Sequence, residues 1–454
     1  MTPTFATLLF LPLAAWGVVR PRRVITLLAA TVGFSGTAVF NLPALAFGFQ
    51  PYHLFGSILI VRCVVAALAA EPTSPARRSC WPVTAFAALW MTAVISLFAA
   101  SGVRGGPGGA HVLIAQIAHL GFGVAVAWAL SVEAHTAALV GRGARAFELG
   151  AVAIASWGLL QFLCNRLGLS YPAFVFNNSV GRYADNFDST IGPNGVVRVG
   201  SVATEPSFLA RTLVMALGLA VVRRAWREPT GGRRRLVIAT ILTAGVLVST
   251  STTGLFGLGV LAALGLARGR SVRARSLIAL IAGVAVAILV LSPSLSIGLR
   301  EMTIDKSSSG SFEQRQASTD QAQELFLDYP LLGVGLGGQT SHELFSKIAS
   351  NLGLAGLAAY AVAVVGLLTL GRSGLRRERA TMLGLKVALA MSILMDTVAG
   401  WSYTYGEFWV VAGLLLAGAS TVHRTTSIGP STDVNASKRP ARVLPDLERR
   451  RAPP

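Results

Sequence analysis

Apolar residues dominate this chain in runs of 15 to 25, separated mostly by short polar connections. Thirteen such runs stand out: 5–19, 24–47, 54–70, 81–101, 111–131, 147–168, 205–222, 236–250, 253–267, 276–298, 352–371, 380–398 and 404–422. Each is long enough, or nearly so, to cross about 30 Å of hydrocarbon at about 1.5 Å per residue. In lipid, backbone groups must find partners within their own segment, so the runs predict helices. The expected fold is an all-α, polytopic membrane bundle of about 12–13 transmembrane helices over residues 1–422. The first run has no basic residue before it and is followed by Arg20-Pro21-Arg22-Arg23. That order predicts a retained helix, not a cleaved signal peptide.

Two connections are long, 169–204 and 299–351. The stretch from Arg300 to Asn351 alone holds seven of the twenty acidic residues, and it contains His342. Within it, 312–329 has helix formers, no Pro and no Gly, which predicts a mostly polar helix on the membrane face, stopped by Pro330.

The composition, 53% hydrophobic and 13% charged, is too apolar for a soluble domain of 454 residues. A net charge of +19 invites a nucleic-acid reading, but its distribution argues against one. Counting alternate connections from residues 20–23 onward collects 28 of the 39 Lys and Arg on one side. This positive-inside pattern predicts a cytoplasmic C-terminus and places both long loops outside; thirteen spans put the N-terminus outside as well. The basic tail 423–454, poor in apolar residues, is expected to be disordered. Cys63, Cys80 and Cys164 lie in or beside different spans, so no disulfide framework or metal-ligand spacing is implied.

Two motifs are weaker than they look. Gly333-Val334-Gly335-Leu336-Gly337-Gly338 fits GxGxxG, but no buried strand precedes it, and a tight backbone passage explains it better. His342-Glu343 begins like HExxH, yet Ser346 occupies the second histidine position, so zinc hydrolysis is not expected. Two others carry chemistry. Arg198-Val199-Gly200 leads to Glu205-Pro206-Ser207-Phe208, where Pro206 suits a first helical turn and Thr204 is placed to cap. Glu205 reads either as a helix-start residue or as a salt-bridge partner for Arg198 or Arg211. Arg211 lies six residues into that helix, where a guanidinium needs a partner or a ligand. Alone, Arg315 reads as a solvated residue paired with Glu313 or Asp320, and His342 as an interface histidine. Arg62, near the middle of its run, is expected to bridge to Asp396 across the bundle. Trp401, Tyr403, Tyr405 and Trp409 read as interface anchors on the outer side, placed where they could stack on sugar rings.

Taken together, three features resemble the O-antigen polymerase and O-antigen ligase family. They are the Arg198-x-Gly200…Glu205-Pro206-Ser207 segment, the Ser249-Thr250-Ser251-Thr252-Thr253-Gly254 junction, and the ending Tyr329-Pro330-Leu331-Leu332-Gly333-Val334-Gly335…His342…Gly353-Leu354-Ala355-Gly356. The resemblance covers roughly residues 145–420. It departs where members often carry His-Asn in place of His342-Glu343, and Pro-Asn in place of the Glu-Pro-Ser segment. It implies a GT-C-like bundle that polymerises polyprenyl-diphosphate-linked repeat units outside the bacterial plasma membrane. Inverting transfer is implied, without metal or other cofactor, with a flippase and a chain-length regulator as protein partners. Arg198, Arg211 and Arg315 would hold the diphosphate, Glu205 would position an arginine, and His342 would serve as general base. The alternative within the family is a ligase that moves a finished glycan to another acceptor. A transporter of polysaccharide or lipid-linked glycan ranks third, because transporters concentrate charge at mid-membrane.

Overall fold

The computed structural model describes residues 1–43, 47–69, 81–99, 109–180, 190–191, 196–225, 232–268, 310–370, 376–401 and 403–427. The expected span 276–298 and nearly all of the tail 423–454 lie outside the described residues, as do Cys80 and parts of both long loops.

The described elements are mainly helices: α1 (Phe5–Val19), α2 (Pro21–Thr31), α3 (Pro51–Leu68), α4 (Trp81–Ala99), α5 (Gly109–Glu133), α6 (Ala137–Leu167), α7 (Pro206–Ala225), α8 (Gly232–Val248) and α9 (Thr252–Arg268). They continue with α10 (Gly310–Asp328), α11 (Leu344–Thr369), α12 (Arg376–Ala399) and α13 (Gly406–Ser427). Seven of these, α3, α4, α5, α6, α7, α11 and α12, contain segments long and apolar enough to cross a membrane. The chain is thus built as a multi-pass membrane protein. The polar helix expected at 312–329 is α10.

The run 24–47 is not one span. Its helix, α2, has 11 residues, about 16 Å at the usual helical rise. The chain then turns through Gly33 and Gly36 into short strands, so the fold is not purely helical. β2 (Phe40–Leu42) pairs antiparallel with β1 (Thr2–Pro3) and with β3 (Phe47–Phe49). A second ladder joins β4 (Thr190–Ile191) to β5 (Val196–Val197). Tertiary contact explains the break: a side chain at Gly33 would meet Ile154 Cδ1 at 2.7 Å and Thr212 Cγ2 at 2.9 Å. The hairpin also receives the first long loop. Thr37 Oγ1 donates to Phe176 O at 2.6 Å, Asn41 Nδ2 donates to Asn178 O (2.7 Å), and the side-chain oxygens of Asn178 and Asn41 accept from the amides of Ala38 (2.8 Å) and Val180 (3.0 Å).

At the centre stands α7, the most buried of the seven candidate spans. Every residue from Leu209 to Ala220 is buried, so it is enclosed on all sides, as a helix with no polar face should be. At the end of the bundle away from the long loops, Arg223 on α7 pairs with Glu148 on α6 at 2.8 Å. There Lys386 donates to the carbonyls of Leu368 (2.7 Å) and Leu370 (2.6 Å), closing the C-terminus of α11.

α11 is broken at Gly353, whose φ is 62°. A Cβ there would run into the Leu331 carbonyl, so both conformation and space demand glycine. Gly353→Ala is expected to lower stability by about 2–5 kcal/mol through left-handed strain and overpacking. Gly141→Ala, with nothing near its position on α6, should change it by less than about 1 kcal/mol. Unfolding in mixed detergent micelles measures both.

Candidate functional site

The two long loops meet at one end of the bundle. The first ends in a buried turn, Val199–Thr204, before α7. Ser201 adopts φ 55°, held by its amide on Gln161 Oε1 (2.8 Å), its hydroxyl on Ile154 O (2.7 Å) and Asn177 Nδ2 on its carbonyl (2.6 Å). α7 then starts at Pro206, and the amides of Phe208 and Leu209 bond to Glu205 O at 3.1 Å. Thr204 does not cap as expected: its hydroxyl is buried without a hydrogen-bond partner, and Glu205 stands at the cap position. The Glu205 carboxylate accepts from Ser207 Oγ at 3.1 Å.

Arg198 comes within electrostatic reach of Glu205 and of Arg315. Burial pulls the Arg198 guanidinium below its ordinary pKa; the Glu205 carboxylate opposes that shift, and Arg315 adds to it. Arg198 thus has one carboxylate and one further guanidinium near it, which leaves net positive charge, and its Nε has no hydrogen-bond partner. This is an anion-attracting arrangement built by two loops remote in sequence.

His342 is exposed, two residues before α11. Its backbone abuts Gly400, where a Cβ would meet Ser341 O at 2.9 Å and His342 Cα at 3.3 Å. The preceding glycine passage holds it in place. Gly333, Gly335 and Gly337 have φ of 63°, 92° and 95°, and the passage folds back onto the break in α11. Val334 N bonds to Ser350 O (2.8 Å), Gly335 N to Asn351 O (3.0 Å) and Leu354 N to Pro330 O (2.8 Å). The Asn351 side chain accepts from the amides of Gly337 (2.8 Å) and Gln339 (3.2 Å) and donates to Gln339 O (3.0 Å) and Lys347 O (2.7 Å). These amides are used up within the protein, so the GxGxxG match forms no phosphate cradle. Arg315 reaches the same locality through α10: Thr319, one turn on, lies with its hydroxyl 3.5 Å from that of Ser341.

Arg211 sits deeper. Its Nη1 is 2.9 Å from Asp396 Oδ1, with both side chains at most 3% exposed. The expected Arg62–Asp396 bridge is therefore not formed; Arg62 lies 4.0 Å from Glu133 on α5. Packing decides this, because α3 lies against α5 whereas α12 lies against α7. Phe208 and Tyr405, with ring centroids 4.0 Å apart, cover the Arg211 guanidinium at 5.3 and 4.9 Å. The remaining edge of that guanidinium, Nε and Nη2, is buried without a hydrogen-bond partner.

Three neighbouring groups escaped the sequence reading. Glu407, on the first turn of α13, has Oε1 2.7 Å from Thr212 Oγ1. Lys347, counted there as part of a loop, belongs to the first turns of α11 and donates to Trp401 O at 3.4 Å. Tyr52 opens α3 against Gly406. A charged residue in an otherwise apolar run was the available signal for Glu407. The expectation that the aromatic cluster could stack on sugars is corrected for three of its members. Trp401, Tyr403 and Trp409 are buried; Tyr403 donates to Gln116 Oε1 (2.9 Å), and Trp409 Nε1 donates to Tyr403 O (2.7 Å). Tyr405 alone of the four remains partly exposed.

The hydroxyl-rich junction packs on α7 at Ala210. Thr250 takes φ 48° between α8 and α9, and Gly254 packs so closely on Ala210 that a Cβ there would lie 2.6 Å from it. Among the described residues, no group of three or more His, Cys, Asp or Glu side chains is arranged to hold a metal ion. No protein-family model matches the chain, and no characterised protein matches it.

Proposed function

We propose that this protein is a GT-C-like glycosyltransferase that polymerises polyprenyl-diphosphate-linked repeat units into a surface or exopolysaccharide. The reading places it in the bacterial plasma membrane, with the Arg198–Arg315 end outside and the C-terminus in the cytoplasm. The distribution of Lys and Arg supports that orientation. The resemblance to the O-antigen polymerase and ligase family supports the substrate class.

One observation carries the reading most. Arg198 lies within electrostatic reach of both Glu205 and Arg315, and Arg211, six residues after Glu205, keeps a buried guanidinium edge without a hydrogen-bond partner. Nε and Nη2 form the planar fork that grips a phosphate through two parallel hydrogen bonds. Asp396 fixes that fork by taking Nη1. A diphosphate leaving group is the anion such a fork suits.

In the reaction, an acceptor hydroxyl oxygen attacks the anomeric carbon of the donor sugar. The bond from that carbon to the diphosphate oxygen breaks, and its electron pair leaves with the diphosphate, where the arginines stabilise it. His342 takes the hydroxyl proton, a task for which imidazole suits near-neutral pH. A single displacement inverts the anomeric centre.

The test is glycan length in cells carrying wild-type protein, a deletion or Arg315→Ala, with membrane abundance measured alongside. Arg315→Ala is expected to lower the elongation rate about 10²–10³-fold at normal abundance, leaving single repeat units on their carrier. Unchanged long chains in the deletion overturn the reading. Long chains that accumulate on the carrier in the deletion turn it into that of a ligase.

A further inference from the structure

Past its break at Gly353, α11 opens one face. Leu354, Ala355, Ala358, Ala361, Val362 and Val365 are exposed there, whereas Gly356, Tyr360, Ala363, Gly366 and Leu367 are buried. That spacing makes a single helical stripe, apolar yet open, as a side turned to lipid should be. From Leu354 to Thr369 the stripe rises about 22 Å at about 1.5 Å per residue, short of about 30 Å of hydrocarbon. α11 ends at Thr369, with the Lys386 ammonium on the carbonyls of Leu368 and Leu370, so the missing height lies before Leu354.

Before the break the helix has no open face: Ile348 to Gly353 are all buried. The chain that follows α10 covers this stretch. Leu354 N bonds to Pro330 O at 2.8 Å and Ala355 N to Leu331 O at 3.2 Å, and Gly353 packs on the Leu331 carbonyl. The covering segment therefore takes the place of α11 on the perimeter at this level. Its Leu331 is 69% exposed, and Tyr329, two residues earlier, is 41% exposed. Leu331 is thus bonded through its backbone to the stripe at its first two members, Leu354 and Ala355. Among the described residues of α10, exposed large apolar side chains begin only at Leu327, one turn before Leu331. Earlier positions such as Gln316, Asp320, Gln323 and Glu324 are exposed and polar.

We propose that Tyr329 and Leu331 form a membrane anchor, continuing the lipid-facing stripe of α11 and inserting among the acyl chains of bilayer phospholipid. Leu331 enters the hydrocarbon. Tyr329 takes the interfacial level, where an aromatic ring with a polar tip is favoured. Asp328, exposed beside it, stays with the headgroups, since a carboxylate in hydrocarbon is costly. Bilayer lipid is the occupant because the patch is continuous with a face that already meets it. The anchor sets the height of two parts of the candidate site. α10, which carries Arg315, ends in it, and the glycine passage leads from it to His342. It holds independently of the glycan-transfer reading.

The experiment puts the photo-reactive residue p-benzoylphenylalanine in place of Leu331 in the full chain, in vesicles of phosphatidylethanolamine and phosphatidylglycerol. After illumination, mass spectrometry identifies what its ketone has captured. The same residue in place of Val362 on the stripe gives the lipid standard, and in place of Asp320 on α10 the aqueous one. Phospholipid adduct at position 331 is expected to approach the Val362 standard and to exceed the Asp320 standard by about tenfold or more. A smaller excess overturns the anchor. Adducts to a second copy, or to another segment of this chain, in place of lipid overturn it as well, because protein then covers the patch. Should the Leu331 variant fail to accumulate, the same residue in place of Tyr329, where it lengthens an exposed ring, is read against the same two standards and decides the matter.

Discussion

Arg211→Ala is expected to abolish long-chain glycan and to destabilise the protein at the same time. The substitution takes from Asp396, 2% exposed, the guanidinium that sits 2.9 Å away. Breaking such a pair from one side costs about 3–5 kcal/mol. Stability and chemistry separate in the double variant Arg211→Met with Asp396→Leu. Removing both charges in favour of apolar side chains of similar size is often neutral or stabilising, so its unfolding midpoint should return to within about 1 kcal/mol of wild type. Transfer should nevertheless stay lost, because the guanidinium fork is gone. Detergent unfolding paired with a transfer assay reads both quantities. Recovery of transfer along with stability would make the pair structural only and remove Arg211 from the chemistry.

His342→Ala should behave in the opposite way. The side chain is exposed, so replacing it is expected to change stability by less than about 0.5 kcal/mol. Loss of a general base slows transfer by about 10²–10⁴-fold. The expected phenotype is normal membrane abundance, lipid-linked repeat units that accumulate, and no glycan ladder. A ladder of wild-type length at wild-type rate ends the assignment of His342 as base. Comparison with Arg211→Ala is informative, because only the arginine variant should also lose stability.

The sequence was legible wherever one segment decides its own structure. The boundaries of α1 coincide with its apolar run, and α10 is nearly where helix formers without Pro or Gly implied it. Glu205-Pro206 starts α7 as a proline-led first turn should. It misled where a distant partner intervenes. Apolar character was right for 24–47, but α2 ends at Thr31 because Gly33 is pressed against Ile154 and Thr212, and the following residues pair with the N-terminus. Asp396 was rightly singled out as a charge needing a partner and was given the wrong one. Hydropathy shows that a buried charge must be paired but not which helix supplies the pair.

What the sequence determined by itself is the class of the molecule and its candidate chemistry: a multi-span apolar bundle, two polar loops, and arginines and a histidine beside them. Those follow from local costs, since a long apolar run needs lipid or a core and a stray guanidinium needs a counter-charge. Only the tertiary structure decided the pairings. It brought Arg198 near Glu205 and Arg315, seated Arg211 on Asp396, and joined Thr212 to Glu407. The physical reason is that helix packing fixes neighbours through shape, glycine contacts and backbone breaks such as Gly353. Side chains hundreds of residues apart become partners only once those surfaces have met.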